Sequence, residues 1–253
     1  MTWGSDGMEY KNNNKNLINN MNKIQTPTLK FLEYYKDAVA KRCKENTDEV
    51  IATAIELRNG FTLKKHNWLS NKIENHLKRQ AHTLPNETTA SVLQQIIDVP
   101  LVASFLAKDP TKQNLSEKLQ IKFNQRRGIE LEKVRGSGPN AIRICDGKVI
   151  KGNKNSNTTK SIDFRCDNFY VYAKVTTTSG GGQTNQKDDA LKFTEEVYKL
   201  GQAGGDKQFI ILLDGDYYTP TILKEFDKYK TKNIRITNSD KLYQTLTNSN
   251  KLR

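Results

Sequence analysis

The stretch SIDFRCDNFYVYAKV, residues 161–175, governs how the whole chain is read. Two short runs of β-branched and aromatic residues flank Cys166-Asp167-Asn168, which has the composition of a tight turn, so the stretch reads as a β-hairpin. Alternation in FYVYAKV sends Val171, Ala173 and Val175 to one face and Tyr170, Tyr172 and Lys174 to the other, one face for a core and one for chemistry. Asp163 opens the first strand and Lys174 lies near the end of the second, so the hairpin sets them side by side. Phosphodiester hydrolysis needs a carboxylate that holds a hard cation against the phosphate and a group that orients the attacking water, and Asp and Lys suit those two roles. The same residues also suit plainer ones, Asp163 as a strand-start turn residue and Lys174 as a guard on a sheet edge.

Outward from the hairpin, the second half alternates strands with helices. Strands are expected at AIRICDG, QFIILLDG and NIRITN, and helices at KDDALKFTEEVYKLGQ, TPTILKEFDKYK and DKLYQTL. A long helix, LSEKLQIKFNQRRGIELEKVRGSG, begins near Leu115. The first half is helical by periodicity, with one helix over TPTLKFLEYYKDAVAKRCKEN and a second over TDEVIATAIELRNG, capped by Thr47 and closed at Gly60. A third covers HNWLSNKIENHLKRQAHTLP, and TASVLQQIIDVPLVASFLAKDP gives two more divided near Pro100. The fold class is therefore α+β or α/β, a mostly helical N-terminal half followed by a mixed central sheet flanked by helices. Three regions follow: a mobile arm at 1–26, a helical region at 27–114 serving DNA recognition or dimerisation, and an α/β core at 115–253.

The chain has 253 residues, a formal charge of +13 and a pI near 9.5. A polyanion is the default partner of such a surface, because Lys and Arg gain affinity by displacing phosphate counterions, although richness in Lys, Asn and Ile also follows from compositional drift alone. No stretch approaches the roughly 20 apolar residues of a membrane span, and the N-terminus lacks the apolar centre of a signal peptide, so an intracellular, cytoplasmic protein with no membrane partner is expected. Cys43, Cys145 and Cys166 are too few and too scattered for a disulfide framework or a zinc site, and free thiols are expected. His66, His76 and His82 lack metal-ligand spacing and read as ordinary helix residues.

Several pieces together resemble the PD-(D/E)xK nuclease superfamily, to which most type II restriction endonucleases belong. QRRGIELE is similar to its amino-terminal helix with Arg, Gly and a trailing Glu. SID stands where many members have Pro-Asp, YAK where they have Glu-x-Lys, and FIILLDG with NIRITNSDKL is similar to the end of their core. The resemblance spans roughly residues 115–247. It implies a bacterial, Mg²⁺-dependent, sequence-specific endonuclease acting on double-stranded DNA, with Asp163 and the Ala173 carbonyl on the metal and Lys174 on the water. Tyr172 departs from the pattern, since a phenol near neutral pH is a poor metal ligand. The second acid then comes from Asp188 or Asp189 on the following helix or from Glu132 on the preceding one, unless Tyr172 is itself an inactivating change. Asp188 and Asp189 equally suit the first turn of a helix, where acids complement the dipole.

DNA contacts are expected from TTTSGGGQTNQ, where Gly181 and Gly182 let backbone amides approach phosphate and Gln183, Asn185 and Gln186 offer amides that pair with adenine, unless the run is only a flexible connection. Arg126 and Arg127 add basic contacts. A palindromic target implies a homodimer, because protein symmetry mirrors the site. Two other readings remain open: a DNA-binding protein with no cleavage, which Tyr172 favours, and a structure-specific repair nuclease.

Overall fold

The computed structural model describes residues 30–250 except 62, 81–82, 84–85, 111–113, 156–157 and 178–181; the expected arm at 1–26, His82 and Gly181 lie outside the described residues. The chain divides into one unit of Tyr35–Leu115 and another made of the residues up to Tyr34 with Ser116–Arg253.

Helix α1 (Phe31–Arg58) is a single helix where two were expected on either side of Thr47. The Thr47 hydroxyl does not cap; it donates to the Cys43 carbonyl one turn back at 2.9 Å. No Gly or Pro lies between Phe31 and Arg58, so nothing interrupts the backbone ladder and the local capping preference yields to it. The helix closes at Gly60 as expected, with Gly60 N–H on Leu57 O and Phe61 N–H on Glu56 O. A single 3₁₀ turn (Lys64–His66) leads into α2 (Asn67–Gln80). His66 is buried there beside the Glu56 carboxylate rather than lying on a regular helix. Next come α3 (Thr89–Asp98) and α4 (Pro100–Leu106), bent by 112°. Thr88 and Ser91 cap α3 reciprocally, and Pro100 stops it by holding Val99 extended. Apolar residues one turn apart, Val50 and Ala54, Leu69 and Ile73, Val92 and Ile96, make the core of this unit. Each large one contributes about 1.5–3 kcal/mol by leaving water. No single helix among the described residues is long and apolar enough to cross a membrane.

In the α/β unit, α5 (Leu115–Gln125) is shorter than the helix expected there. Gly128, at φ +74, stops it, with Ile129 N–H turned back onto Asn124 O. The IELEK segment leaves the helix. Ile129 and Leu131 enter the core, and Glu132–Lys133 forms strand β1. Strands β2 (Ile142–Cys145) and β3 (Lys148–Lys151) make a separate antiparallel hairpin, then β4 (Phe164–Cys166), β5 (Phe169–Val175), helix α6 (Gln183–Gln202), β6 (Gln208–Asp214), α7 (Pro220–Asp227), β7 (Ile234–Thr237) and α8 (Leu242–Asn250) complete the unit. The main sheet is mixed, in the order β1-β4-β5-β6-β7, antiparallel from β1 to β5 and parallel from β5 to β7.

Both faces of this sheet are covered. Tyr172, Phe209 and Ile211 pack with Phe193 and Val197 of α6 on one side. Val171, Ala173, Ile210 and Leu212 pack with Ile129 and Leu242 on the other. The face of β5 expected to be free for chemistry is therefore core at Tyr172, with Tyr170 and Lys174 half-buried on either side of it. The unbroken apolar run of β6 is the counterpart of this two-sided burial.

Candidate active site

Asp163 sits just ahead of β4, its backbone pinned on both sides. Its N–H donates to Val171 O at 3.0 Å and its carbonyl accepts from Val134 N–H at 2.9 Å. The side chain then completes the ladder: Oδ2 accepts from Ala173 N–H at 2.8 Å, where β4 no longer runs alongside β5. The sequence expectation that the hairpin joins Asp163 and Lys174 is met, since the Lys174 charge acts on the Asp163 carboxyl. Burial pushes that carboxyl up to about 7; the Ala173 N–H and Lys174 pull it back, Glu117 raises it and Lys133 lowers it. No cation among the described residues lies within ion-pairing distance of Asp163.

Glu117, in the first turn of α5, was not singled out from sequence. It pairs with Lys133 of β1, and both charges are felt at Asp163. Glu132, the expected ligand, is instead exposed on β1 opposite Arg165. Alternation along a strand gives Lys133 and Glu132 opposite faces, and it is Lys133 that acts on Asp163. On α6 the pair also divides. Asp188 is exposed beside Lys187, whereas Asp189 bridges to Lys160 at 3.4 Å and its charge acts on Tyr172.

Tyr172 is a core residue, 1% exposed, with its ring stacked on Phe193 at 4.2 Å between centroids. Its hydroxyl is buried with no hydrogen-bond partner among the described residues. Burial, reinforced by the carboxylates of Asp163 and Asp189, pushes this hydroxyl far up, so it stays a neutral phenol. Lys174 Nζ lies 5.5 Å from the centre of the same ring.

The expected DNA contacts divide as well. Arg127 is buried, stacked on Phe123 at 4.2 Å and donating to Asp240 O at 3.0 Å, so it fastens the fold rather than facing DNA. Arg126 is exposed, resting over Tyr34. Helix α6 begins earlier than expected, at Gln183, with Gly182 as its cap at φ +89. Gln183, Asn185 and Gln186 thus lie in a first helical turn rather than in a loop. Asn185 is exposed, while Gln186 Oε1 accepts from Thr176 Oγ1 at 2.8 Å.

A second buried acid, Asp214 at the end of β6, also went unnoticed in the sequence. Gln120 Nε2 donates to it at 2.8 Å, Ser239 N–H at 2.8 Å and Ser239 Oγ at 2.7 Å, and burial pushes it up to about 6 despite these donors. It ties α5 and the loop after β7 to the sheet, and its one sequence signal is an acid directly following an apolar run. The three cysteines are unpaired, and burial pushes the Cys166 thiol up to about 12.

Among the described residues no group of three or more His, Cys, Asp or Glu is placed to hold a metal ion. Asp163 and Glu117 are two carboxylates, of which Glu117 pairs with Lys133 and its charge adds to the rise at Asp163. Such a pair suits Mg²⁺, which keeps several waters and binds through one or two carboxylates plus substrate phosphates, and does not suit zinc, which takes nitrogen and sulfur ligands in a closed set. No protein-family model, no curated protein and no solved structure matches the chain.

Proposed function

We propose that the chain is a Mg²⁺-dependent, site-specific double-stranded DNA endonuclease of the PD-(D/E)xK type. The observation that carries the reading is the buried Asp163 carboxyl held on the β5 backbone with Lys174 beside it, at the end of a central sheet strand. Asp163 would hold Mg²⁺, with Glu117 as the second carboxylate in place of Glu132 or Asp188 and the Ala173 carbonyl as an added oxygen. The bound ion supplies charge that offsets the negative charge growing on the phosphate. Lys174 orients the attacking water and donates toward the phosphate oxygens, a role exercised mostly in the transition state. The net charge of +13 supports a phosphate-backbone partner. A palindromic target would call for a two-fold dimer.

Tyr172 favours a second reading, a DNA-binding protein that does not cut, because a neutral phenol occupies the position of the usual acid. Digestion of phage-sized DNA with Mg²⁺, with EDTA, and with Lys174→Ala separates the two. Discrete fragments formed only by the parent protein in Mg²⁺ are expected. Gel-shift binding with no cut in Mg²⁺ or Mn²⁺ would overturn the nuclease reading in favour of the second.

A further inference from the structure

Beside the Tyr172–Phe193 stack lies a cavity of about 70 Å³, lined by Lys154, Lys160, Lys192 and Phe193 among others. A water needs about 10–15 Å³ of such space, so the cavity has room for a compact group larger than one water. Three ammonium groups face a single carboxylate, Asp189, and only Lys160 pairs with it. Lys154 and Lys192 have no ion-pair partner among the described residues.

Side-chain hydroxyls of the lining residues are held by backbone groups. Thr159 Oγ1 accepts from Ile144 N–H at 3.0 Å and donates to Lys160 O at 2.8 Å, while Thr158 Oγ1 accepts from Asn155 N–H at 3.0 Å. Arg143, which holds the Thr159 carbonyl, is buried, 4% exposed, and donates only to carbonyls: Thr159 O at 3.0 Å, Gly136 O at 3.2 Å and Gly152 O at 3.3 Å. No carboxylate among the described residues pairs with this guanidinium, so the only carboxylate lining the cavity, Asp189, stands against an excess of positive charge.

We propose that this cavity binds one phosphate group, supplied in the complex by a backbone phosphate of the DNA strand flanking the phosphate at Asp163 and Lys174. The assignment deepens the nucleic-acid reading and rests on it. Phe193 links the two places, lining the cavity while stacking on the ring beside Lys174.

Two measurements on the full chain test it. Titration with inorganic phosphate, followed by amide resonances, should move Thr158, Thr159 and Lys160 in the parent and not in Lys154→Ala/Lys192→Ala. For a defined duplex, the slope of log affinity against log salt should become shallower by about one to two in that variant. A control of equal charge change, Lys224→Ala/Lys232→Ala, should leave the phosphate response intact. Normal DNA binding with an unchanged slope in the cavity variant overturns the subsite and leaves the nuclease reading standing. Equal slope changes in both variants reduce the effect to net charge and also overturn it. Phosphate shifts in a protein that binds no DNA overturn the DNA source together with the reading beneath it, and assign the cavity to free phosphate.

Discussion

Asp163 has a structural duty in the sheet and, in the function proposed, a chemical one, and the two make separate predictions. Its carboxyl sits at about 7 in the fold against an ordinary 3.8, so the folded state holds the proton more tightly than the unfolded chain. The stabilisation from that proton is complete below the ordinary value and is lost as pH rises through about 7. Asp214, raised to about 6, adds a contribution of the same sign over a window that ends lower. Asp163→Asn keeps an acceptor for the Ala173 N–H and removes the titration. Its melting temperature should therefore approach the parent's only as pH falls toward the ordinary carboxylate value, exceed it at pH 8, and vary less between pH 5 and pH 8. A parent whose stability rises from pH 5 to pH 8 would contradict this. Mg²⁺ should raise the melting temperature of the parent at pH 8 and not that of Asp163→Asn, a readout independent of cleavage. Lys174→Ala should abolish cleavage while leaving duplex affinity within a few-fold, since the role proposed for its charge is on the water rather than on the ground-state complex. Full activity in that variant would remove the mechanism.

The order of the elements was legible because periodicity and turn residues act locally. The β4–β5 hairpin, the turn at Asp167, the Pro100 break and the Gly60 stop all stand where their residues put them. What was not legible depends on continuation and burial. Thr47 looks like a cap but lies within an unbroken ladder, and RRG looks helical until Gly128 takes a positive φ. That stop moves Glu132 onto a strand and leaves Glu117, one unremarkable acid in a charged helix, as the carboxylate that acts on Asp163. Burial of Tyr172 was likewise invisible to an alternating pattern, because α6 covers the face that alternation left open. Tyr172→Phe should retain the stack on Phe193 and remove an unsatisfied hydroxyl, leaving stability unchanged or raised by up to about 1 kcal/mol. Lost cleavage in a stably folded Tyr172→Phe would show that the hydroxyl serves the site. Gly215 makes a sharper case at the end of β6: its φ is +110, and a Cβ there would lie 2.0 Å from Thr176 O. Gly215→Ala should destabilise by about 2–4 kcal/mol, read by denaturant unfolding.

At the scale of the whole chain, the positive excess is concentrated after Ser116, in the unit that carries Asp163 and Lys174, while the exposed large apolar side chains among the described residues, such as Phe105 and Leu101, belong to the helical unit. A charge of +13 on one small protein repels itself, and the folded state concentrates that repulsion more than the unfolded chain does. Salt should therefore act on two properties in opposite directions. Screening weakens self-repulsion, so the melting temperature should rise between about 50 and 200 mM salt, where the Debye length shrinks to below about 10 Å. Over the same range the counterions that DNA releases become harder to release, and affinity for a duplex should fall by roughly 10³–10⁵ if six to ten phosphates are contacted. The contrast matters because a protein that simply loosens in salt would lose affinity and stability together. A flat affinity curve would remove nucleic acid as the main partner. Falling stability would mean that surface ion pairs such as Lys133–Glu117 and Lys187–Glu225 outweigh the net repulsion. Rising stability with falling affinity is the signature of basic charge that serves a polyanion rather than the fold.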